Sequence, residues 1–481
     1  MKLIDVIRGL AINNDVGNND NNVDVKGITD NSLHVKEGDL FVAIKGHKVN
    51  GHDYIDQVIE AGAAAIVGEE EHTELPIPYL QVNNSRKALG TLAKNYYMDP
   101  SAFKVMIGIT GTNGKTTTSY ILKHILEENG LSCTLIGTIN NIVNGEVVST
   151  TNTTPSSLVI NELIFRSNDP VVIMEVSSHG IDQYRVEGIS FDYCLFTNFT
   201  RDHLDYHLTI ENYFQAKRKL FDQLKPNGLA VINTDDEWAK KLNQDLISKG
   251  KRTFTVGQSK NNDISFNNAI SSNKKSINIT EKEESYTVDF AMPGLHNFYN
   301  MLSACATSLQ IINSTEAIID SIKTFSGVKG RFEIIRNDNG STFVVDYAHT
   351  SDGLLNILNT VNEFNPKGII HIFGMRGNRD VAKNKDMLKI SASMSTLYIL
   401  TMDDLNLVSY QSMLRELEVL NEQFGNQKGI IIPDRTLAIK YAIENSAKDD
   451  WIIITGKGHE KYQQSYFVPT QSDMETIEHF I

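Results

Sequence analysis

The residues best suited to chemistry lie in a glycine-containing turn, Thr110-Gly111-Thr112-Asn113-Gly114-Lys115-Thr116-Thr117-Thr118. A turn of this kind before a helix can direct backbone N–H groups at phosphate oxygens. Lys115 would reach the terminal phosphates, and the Thr116 hydroxyl would bind Mg²⁺. The generic pattern places its first glycine where this chain has Ile109, so a plain turn with glycines at positive φ is the alternative. The context favours a nucleoside triphosphate site.

Further ionisable residues follow apolar runs. Glu175 ends one of these runs, and its carboxylate would be a suitable ligand for Mg²⁺. The alternative is that Glu175 caps the helix that follows. The stretch 198–207 is dense in Asp and His side chains and includes His203, a candidate functional residue. Lys217, taken alone, is interpreted as a helical lysine with a solvated head.

The elements that must position these residues are alternating strands and helices. Apolar runs at 104–109, 171–176, 193–197 and 229–232 alternate with helical stretches, which predicts βαβ units and a mostly parallel sheet. Between 252 and 292 the pattern favours antiparallel strands or hairpins. Five runs at 342–345, 369–373, 397–400, 430–432 and 451–454 predict a second doubly wound sheet. The predicted class is α/β, with domains at 1–100, 101–329 and 330–481.

Composition excludes several classes of protein. The chain of 481 residues is 41% hydrophobic and 22% charged, as in globular proteins, and has no apolar run near the ~20 residues that span a bilayer. The net charge of −14 argues against nucleic-acid binding. No secretory signal is evident, and three scattered cysteines fit a reducing compartment. We expect a cytoplasmic monomer with small-molecule substrates.

Seven motifs in order resemble the Mur ligases nearly end to end, and most closely the branch that forms the muramoyl tripeptide. They are the loop 110–118, Glu175-Val176-Ser177-Ser178-His179-Gly180, Thr200-Arg201-Asp202-His203-Leu204-Asp205, Gly294-Leu295-His296-Asn297-Phe298-Tyr299-Asn300, Gly330-Arg331-Phe332-Glu333, Asp346-Tyr347-Ala348-His349 and Gly456-Lys457-Gly458-His459-Glu460.

The resemblance implies three domains: an N-terminal uridine-nucleotide domain, a central ATPase domain and a C-terminal Rossmann-like domain. It also implies a reaction in which ATP phosphorylates a substrate carboxylate and the amine of an amino acid displaces the phosphate. Such catalysis depends on positioning the reactants and neutralising phosphate charge.

The resemblance further implies the roles of individual residues. ATP contacts would come from Gly111, Thr112, Asn113, Gly114, Lys115, Thr116, Thr117, Asn297, Asn300, Arg331 and Asp346. Metal ligands for two Mg²⁺ ions would be Thr116, Glu175, His203 and a carbamylated Lys217, with Lys115, His203 and Lys217 as the catalytic set. The UDP-substrate would contact Ser32, His47, Lys48, Asn152, Thr153, Thr154, Ser177, Gln183 and Arg185.

The chain departs from the family pattern at both substrate ends. An N-terminal Asp-Ser-Arg appears as Asn31-Ser32-Leu33, and the glycine-rich loop appears as Gly374-Met375-Arg376-Gly377-Asn378-Arg379-Asp380. Diaminopimelate-adding members carry Asp-Asn-Pro-Arg, whose Arg pairs with a substrate carboxylate, where this chain has Asp403-Asp404-Leu405-Asn406. Losing that contact costs on the order of 2–4 kcal/mol.

We therefore expect L-lysine or a similar amino acid, and not diaminopimelate, to be added to UDP-N-acetylmuramoyl-L-alanyl-D-glutamate. Asp403 or Asp404 would face its side-chain ammonium, or would merely cap the following helix. The resemblance places the amino acid among Arg379, Asp403, Asp404, Asn406, Gly456 and Glu460.

Three alternatives stay open from the sequence. One is a divergent Mur-like ligase of specialised metabolism with another carboxylate or amine. Another is a non-enzymatic nucleotide switch, against which the acceptor-side motif 456–460 argues. The third is a folylpolyglutamate synthetase, although residues 152–154 and 177–180 favour the muramoyl branch.

Overall fold

The computed structural model describes residues 1–14, 22–46, 49–72, 75–266, 276–281, 284–377 and 381–481. Three predicted site residues, His47, Lys48 and Arg379, lie outside them. The chain divides into two compact units. The first contains Met1–Thr110, Gly130–Leu195 and Gln215–Ala230, and the second contains Gly111–Asn129, Phe196–Phe214 and Val231–Ile481. The domain boundaries at residues 100 and 329 remain predictions.

The N-terminal segment of the first unit forms a four-stranded parallel sheet in chain order. Its strands are β1 (Gly27–Thr29), β2 (Asp39–Val42), β3 (Ala65–Gly68) and β4 (Tyr79–Gln81), and its helices are α1 (Leu3–Val6), α2 (Ile55–Glu60) and α3 (Ser85–Tyr96). Short 3-10 helices cover Ser32–His34, Gly51–Tyr54 and Pro100–Phe103. Apolar side chains of β2 and β3 pack against α1 and α3.

The next segment carries the predicted βαβ pattern. Its elements are β5 (Val105–Thr110), α4 (Lys115–Glu128), β6 (Cys133–Ile136), β7 (Asn141–Val143), β8 (Glu146–Val148), α5 (Ser157–Arg166), β9 (Val171–Glu175), α6 (Ser178–Asp182), β10 (Phe191–Phe196), α7 (Leu204–His207), α8 (Ile210–Arg218) and β11 (Leu224–Asn233). In the first unit, β9 lies between β5 and β6 and is parallel to both. The short strands β7 and β8 extend the sheet in antiparallel fashion.

The second unit continues with α9 (Glu237–Ser248), β12 (Arg252–Gly257), β13 (Ile264–Phe266), β14 (Ser276–Glu281), β15 (Glu284–Asp289), α10 (Leu295–Ser308) and α11 (Thr315–Lys323). Strands β13, β14 and β15 pair antiparallel, as predicted for this polar stretch. The pairing of β12 with β13 is parallel, which differs from the prediction. The alternation of apolar and polar residues along a strand indicates which face is buried, but it does not indicate whether the neighbouring strand runs parallel or antiparallel.

The C-terminal elements are β16 (Glu333–Arg336), β17 (Thr342–Asp346), α12 (Ser351–Asn362), β18 (Ile369–Met375), α13 (Val381–Met394), β19 (Leu397–Met402), α14 (Tyr410–Phe424), β20 (Gly429–Ile431), α15 (Arg435–Glu444), β21 (Trp451–Thr455) and α16 (Asp473–Phe480). The strands lie in the order β16-β17-β21-β18-β19-β20. All neighbours are parallel except β16 and β17. The five predicted strands are confirmed, and their carboxyl ends meet at one edge.

The described residues therefore form an α/β fold with three sheets of four, eleven and six strands, the largest mostly parallel at its centre. Buried aliphatic side chains fill both faces of the six-stranded sheet, which explains its uninterrupted apolar runs. No helix in the described parts of the chain is long and apolar enough to cross a membrane.

Candidate active site

The turn between β5 and α4 requires glycine at two positions. Gly114 precedes the first residue of α4 at φ +85°, and an added Cβ would lie 2.2 Å from Asn300 Oδ1. At Gly111, with φ +149°, a Cβ would lie 1.9 Å from Thr197 Oγ1. A strand ends at Thr110 and a helix begins at Lys115, so the predicted strand–turn–helix context is confirmed.

Residues that follow β10 hold this loop. The N–H of Thr112 donates to the carbonyl of Asn198 (2.9 Å), and the N–H of Asn113 donates to Asn198 Oδ1 (2.9 Å). Thr197 Oγ1 donates to the carbonyl of Asn113 at 2.6 Å. Asn198 therefore fixes the loop through both its backbone and its side chain, a role that the sequence did not single out.

Two cations lie at the start of α4. Lys115 Nζ donates to the carbonyl oxygens of Gly111 (2.8 Å) and Thr112 (3.0 Å). Arg331 Nη2 donates to Thr116 Oγ1 at 3.1 Å, and the Arg331 guanidinium lies 4.4 Å from the centre of the Tyr347 ring. Arg331 Nε is buried with no hydrogen-bond partner among the described residues. A phosphate group bound at this loop could therefore replace these oxygen atoms as the acceptor for the N–H groups of both cations.

A cavity opens beside the loop within the second unit. Its volume is about 90 Å³, below the roughly 300–1,000 Å³ typical of small-molecule sites. Its walls include the predicted ATP residues Asn113, Gly114, Thr117, Asn297, Asn300, Arg331 and Asp346. They also include residues that the sequence did not assign: Asn198, His296, Tyr347, His349 and Asn356.

Asp346, at the end of β17, is one of these walls. Its carboxylate accepts the N–H groups of Phe332 (2.7 Å) and Ala348 (2.6 Å), which ties the loop before β16 to the loop after β17. Burial raises the pKa of Asp346, and the neighbouring Arg331 opposes that shift. The side chain therefore positions Arg331 through the backbone of residue 332.

In the first unit, four predicted substrate contacts come together around Thr154. Ser177 donates its N–H to Thr154 Oγ1 (2.9 Å), and Thr154 Oγ1 donates to the carbonyl of Glu175 (2.9 Å). Arg185 bonds the Thr154 carbonyl (2.7 Å) and Gln183 Oε1 (2.9 Å). Asn152 is exposed and Thr153 is half-buried nearby in the chain. Ser32 is half-buried in the N-terminal sheet region.

Glu175 is fully buried at the end of β9. Its two carboxylate oxygens accept from the N–H (3.1 Å) and the hydroxyl (2.7 Å) of Thr138, a residue that the sequence did not single out. Ser177 and not Glu175 caps α6, because Ser177 Oγ accepts the N–H of Gly180 at 3.0 Å. The capping alternative for Glu175 is therefore wrong.

Lys217 lies in α8 with only 1% of its surface exposed. The interpretation as a helical lysine with a solvated head is therefore wrong. Burying an ammonium group is costly unless it is paired or chemically altered. A buried lysine in this position is suited to a modified or tightly partnered amine.

His203 adopts a left-handed backbone conformation (φ 53°), and its Nε2 lies 3.3 Å from Asp202 Oδ2. Asp202 also lies 3.6 Å from Lys383 Nζ and 4.0 Å from His349 Nε2. Burial alone would raise the pKa of Asp202, but these three cationic or titratable neighbours hold it well below its usual range. No cluster of three or more His, Cys, Asp or Glu ligands is preassembled among the described residues. The ligand set of Thr116, Glu175, His203 and Lys217 stays a prediction.

At the carboxyl edge of the six-stranded sheet, Asp403 and Asp404 pair with internal cations. The fully buried Lys457 lies 3.1 Å from Asp403 Oδ1 and 2.5 Å from Asp404 Oδ1. Arg376 Nε lies 3.0 Å from Asp403 Oδ2, and its Nη2 pairs with Glu460. Ser409 caps α14, so neither aspartate caps the next helix. Both carboxylates pair with the chain's own cations, and a contact of either with a substrate ammonium stays a prediction.

Gly456 and Asn406 lie at the same edge. The carbonyl of Gly456 accepts from Arg376 Nη2 at 3.1 Å, and Asn406 Nδ2 donates to the carbonyl of Gly377 at 3.0 Å. The structure thus brings together Asp403, Asp404, Gly456 and Glu460. Arg376 and Lys457, which the sequence did not assign, join them because strand order places distant loops side by side.

Three family models match the chain. They are "Mur ligase family, catalytic domain" at residues 24–97, "Mur ligase middle domain" at 109–308 and "Mur ligase, glutamate ligase domain" at 330–458. A UDP-N-acetylmuramoyl-L-alanyl-D-glutamate–2,6-diaminopimelate ligase of Parabacteroides distasonis is 38% identical over 92% of this chain and 91% of its own. The ligase of the same name from Listeria monocytogenes is 34% identical, covering 96% and 95%.

Solved structures of Mur ligases resemble this fold. A structure with the name of that diaminopimelate ligase superimposes with a TM-score of 0.69 at 26% identity, covering 100% of this chain and 99% of its own. A MurF ligase of Thermotoga maritima in complex with ADP has a TM-score of 0.66 at 18% identity, covering 95% and 97%. The second likeness is one of fold.

These relatives correct one prediction. Five relatives at 34–38% identity carry the name of the diaminopimelate ligase, so the expectation that diaminopimelate is not added is wrong. That expectation assumed that a guanidinium could come only from residues 403–406. Arg376, from the loop after β18, contacts Asp403 from outside that segment.

The family models cover most of the sequence, the relatives are more than 30% identical nearly end to end, and the turn at 111–116 has the geometry of a phosphate loop. The chain belongs to the Mur ligase family of ATP-dependent ligases.

Proposed function

We propose that this protein uses ATP to join 2,6-diaminopimelate to the D-glutamyl end of UDP-N-acetylmuramoyl-L-alanyl-D-glutamate, a step in making peptidoglycan precursors. The observation that carries this proposal is the identity of 34–38% to ligases of that name, over at least 91% of both chains. The phosphate loop and the acceptor-edge residues are consistent with it.

In the proposed reaction a substrate carboxylate oxygen attacks the γ-phosphorus of ATP, which yields an acyl phosphate and ADP. The amine of the amino acid then attacks the acyl carbon, and phosphate leaves as the amide forms. Lys115 and Arg331 would turn from their present acceptors to the phosphate oxygens, where their charge favours the transition state. The walls formed by Asn297 and Asn300 would orient the nucleotide.

The donor set suits magnesium. Glu175 is a fully buried carboxylate that accepts hydrogen bonds from Thr138, and Thr116 carries a hydroxyl in the first turn of α4. Hard oxygens of this kind are the ligands that Mg²⁺ prefers, and His203 could complete the set. Bound Mg²⁺, in one or two ions, would neutralise charge on the phosphates.

Lys217 would act as a carbamate. In that reaction the neutral amine bonds to the carbon of CO₂ and releases one proton to solvent, which converts a cation into an anionic oxygen ligand. Near-complete burial supports this proposal, because the side chain is shielded from bulk water. Thr153, Thr154, Ser177, Gln183 and Arg185 would bind the muramoyl peptide, with Asn152 at the entrance and Ser32 toward the uridine. The monomeric state and the cytoplasmic location stay predictions.

The experiment is a ligation assay with the purified chain, ATP and Mg²⁺. The candidate carboxylates are the muramoyl dipeptide, its mono-alanyl precursor and folate. Each is tested with diaminopimelate, lysine and glutamate, and the products are identified by mass spectrometry. We expect a tripeptide product only with the muramoyl dipeptide. Absence of product with that dipeptide and every amine would refute the proposal and favour a divergent ligase.

A further inference from the structure

Diaminopimelate carries an ammonium and a carboxylate at the end that does not react, and that carboxylate needs a cation. At the carboxyl edge of the six-stranded sheet, the described cations that act on Asp403 are Arg376, Lys457 and Arg435. Lys457 and Arg435 are fully buried. Lys457 is paired with Asp403 and Asp404, and Arg435 is paired with Asp473 at 2.6 Å. Turning either cation toward a ligand would break a buried ion pair, which is costly. Arg435 Nη1 has no hydrogen-bond partner among the described residues, but the side chain has no exposed surface through which a ligand could reach it.

Arg376 is the third candidate, and its environment differs. Its side chain is 18% exposed. Nε donates to Asp403 Oδ2 at 3.0 Å, while Nη2 donates to the carbonyl of Gly456 at 3.1 Å and to Glu460. Nη1 has no hydrogen-bond partner among the described residues. The guanidinium is thus anchored along one edge and open along the other.

The anchor itself is fixed by further contacts. Glu460 Oε1 accepts from the Tyr347 hydroxyl at 3.0 Å, and Asp403 is held by Lys457. The Tyr347 ring lies 6.0 Å from Arg376 Cζ. A guanidinium that is oriented before binding loses less conformational freedom when it pairs with a ligand.

The charge of the cluster selects the kind of ligand. Two cations, Arg376 and Lys457, face three carboxylates, those of Asp403, Asp404 and Glu460. One surplus negative charge suits an incoming ammonium, and the open Nη1 suits a carboxylate. A zwitterionic end satisfies both, whereas the lone ammonium of lysine leaves Nη1 without a partner.

We propose that Arg376 binds the distal carboxylate of the acceptor amino acid, supplying the guanidinium that residues 403–406 lack, and so selects acceptors with a zwitterionic distal end. This inference rests on the proposed function for its choice of acceptor. It gives Arg376 a role in specificity, at a position where the family pattern is glycine.

The test compares acceptors and variants. The acceptors are meso-diaminopimelate, L-lysine and 2-aminopimelate, which retains the distal carboxylate without the ammonium. The variants are Arg376→Gln and, as a matched control, Arg415→Gln on the exposed face of α14. We expect Arg376→Gln to raise the KM for diaminopimelate on the order of 100-fold and to leave the KM values for ATP and the muramoyl dipeptide within about two-fold. Arg415→Gln should change none of them.

A transplant supplies the second arm. Arg376→Gly combined with Asn406→Arg moves the guanidinium to the family's position, and we expect it to recover at least a tenth of the lost kcat/KM. If Arg376→Gln does not fold, the inference is tested on the unmodified protein by comparing its kcat/KM for lysine with that for diaminopimelate. Equal values overturn the inference. An unchanged KM for diaminopimelate in Arg376→Gln, with tripeptide still formed, overturns the inference and leaves the proposed function standing.

If no amine is ligated, the proposed function fails, and calorimetry with diaminopimelate and a non-hydrolysable ATP analogue decides the role of Arg376. Binding that is lost in Arg376→Gln and kept in Arg415→Gln supports that role. Absence of binding to the unmodified protein overturns it.

Discussion

The ammonium of Lys115 illustrates how a single residue is prepared for phosphate. It is held by two carbonyl oxygens of its own loop. These acceptors are neutral, so a triphosphate would outcompete them through the Coulombic attraction of its negative oxygens for the ammonium. Arg331 is likewise tethered to the Thr116 hydroxyl and stacked on Tyr347. Both residues have donors that can change partner without unfolding a helix.

Replacing Lys115 by alanine should reduce ligation by about 1,000-fold or more, because the γ-phosphate loses its principal protein cation. Lys123→Ala on the same helix is the matched control, since Lys123 pairs with Glu127 at 2.5 Å away from the loop. The comparison is made by steady-state phosphate release. Ligation undiminished in Lys115→Ala would remove the loop from the mechanism.

Removing CO₂ should inactivate the enzyme if Lys217 is carbamylated, and added bicarbonate should restore activity. Lys217→Ala should be inactive under both conditions, while Lys219→Ala, at an exposed position beside it, should behave like the unmodified protein. Activity is followed as tripeptide formed per minute. Full activity in CO₂-free buffer would exclude the carbamate.

At the scale of elements, the turn that starts α4 depends on a backbone conformation that favours glycine. Gly114→Ala places a methyl group 2.2 Å from Asn300 Oδ1 at a positive φ, so the turn must shift. We expect nucleotide affinity to fall at least 10-fold, measured with a fluorescent ATP analogue. Gly130→Ala, at the other end of α4 with open space around its Cα but also at positive φ, controls for strain alone. Equal affinities in the two variants would contradict this account.

Strand β18 carries a buried histidine that gives the six-stranded sheet a pH dependence. His371 bonds Ser391 Oγ (2.7 Å) and Thr455 Oγ1 (3.0 Å), and burial lowers its pKa to about 3 from 6.5. Between about pH 3 and pH 6.5, His371 is therefore protonated in the unfolded chain but not in the folded chain. Stability from this residue is complete above about pH 6.5 and is lost as the pH falls toward 3.

Between pH 7 and pH 4.5 the unmodified protein should lose roughly 2.5 kcal/mol more stability than His371→Gln, because a proton bound only by the unfolded chain changes the free energy of unfolding by about 1.36 kcal/mol per pH unit. Urea unfolding of both proteins at the two pH values measures the difference. Other titrating groups contribute equally to both proteins and cancel. Parallel losses in the two proteins would show that His371 does not resist protonation.

Much of this element structure could be predicted from the sequence. The buried strands β9, β17, β18, β19 and β21 are covered on both faces, and so they appear as continuous apolar runs. The parallel pairing of β12 with β13 could not be predicted, because direction depends on chain routing. The pairing of Lys457 with Asp404 could not be predicted either, because these residues are 53 positions apart and only the order of the strands brings them together.

At the scale of the whole molecule, the order of seven short motifs indicated the family, and the comparisons confirm it. The wrong prediction concerned the acceptor, where one motif was judged in isolation. The formal net charge of −14 does not prevent Lys115 and Arg331 from presenting positive charge beside the phosphate loop, so the overall charge says little about where anions bind.

The central claim is that a substrate carboxylate is activated as an acyl phosphate before the amine attacks. If so, one carboxylate oxygen must leave with the phosphate. Muramoyl dipeptide labelled with ¹⁸O in its D-glutamyl side-chain carboxylate is incubated with ATP and diaminopimelate, and the released phosphate is analysed by mass spectrometry. An acyl-phosphate intermediate gives one ¹⁸O atom in each phosphate released per amide formed. Unlabelled phosphate accompanying labelled tripeptide would contradict it.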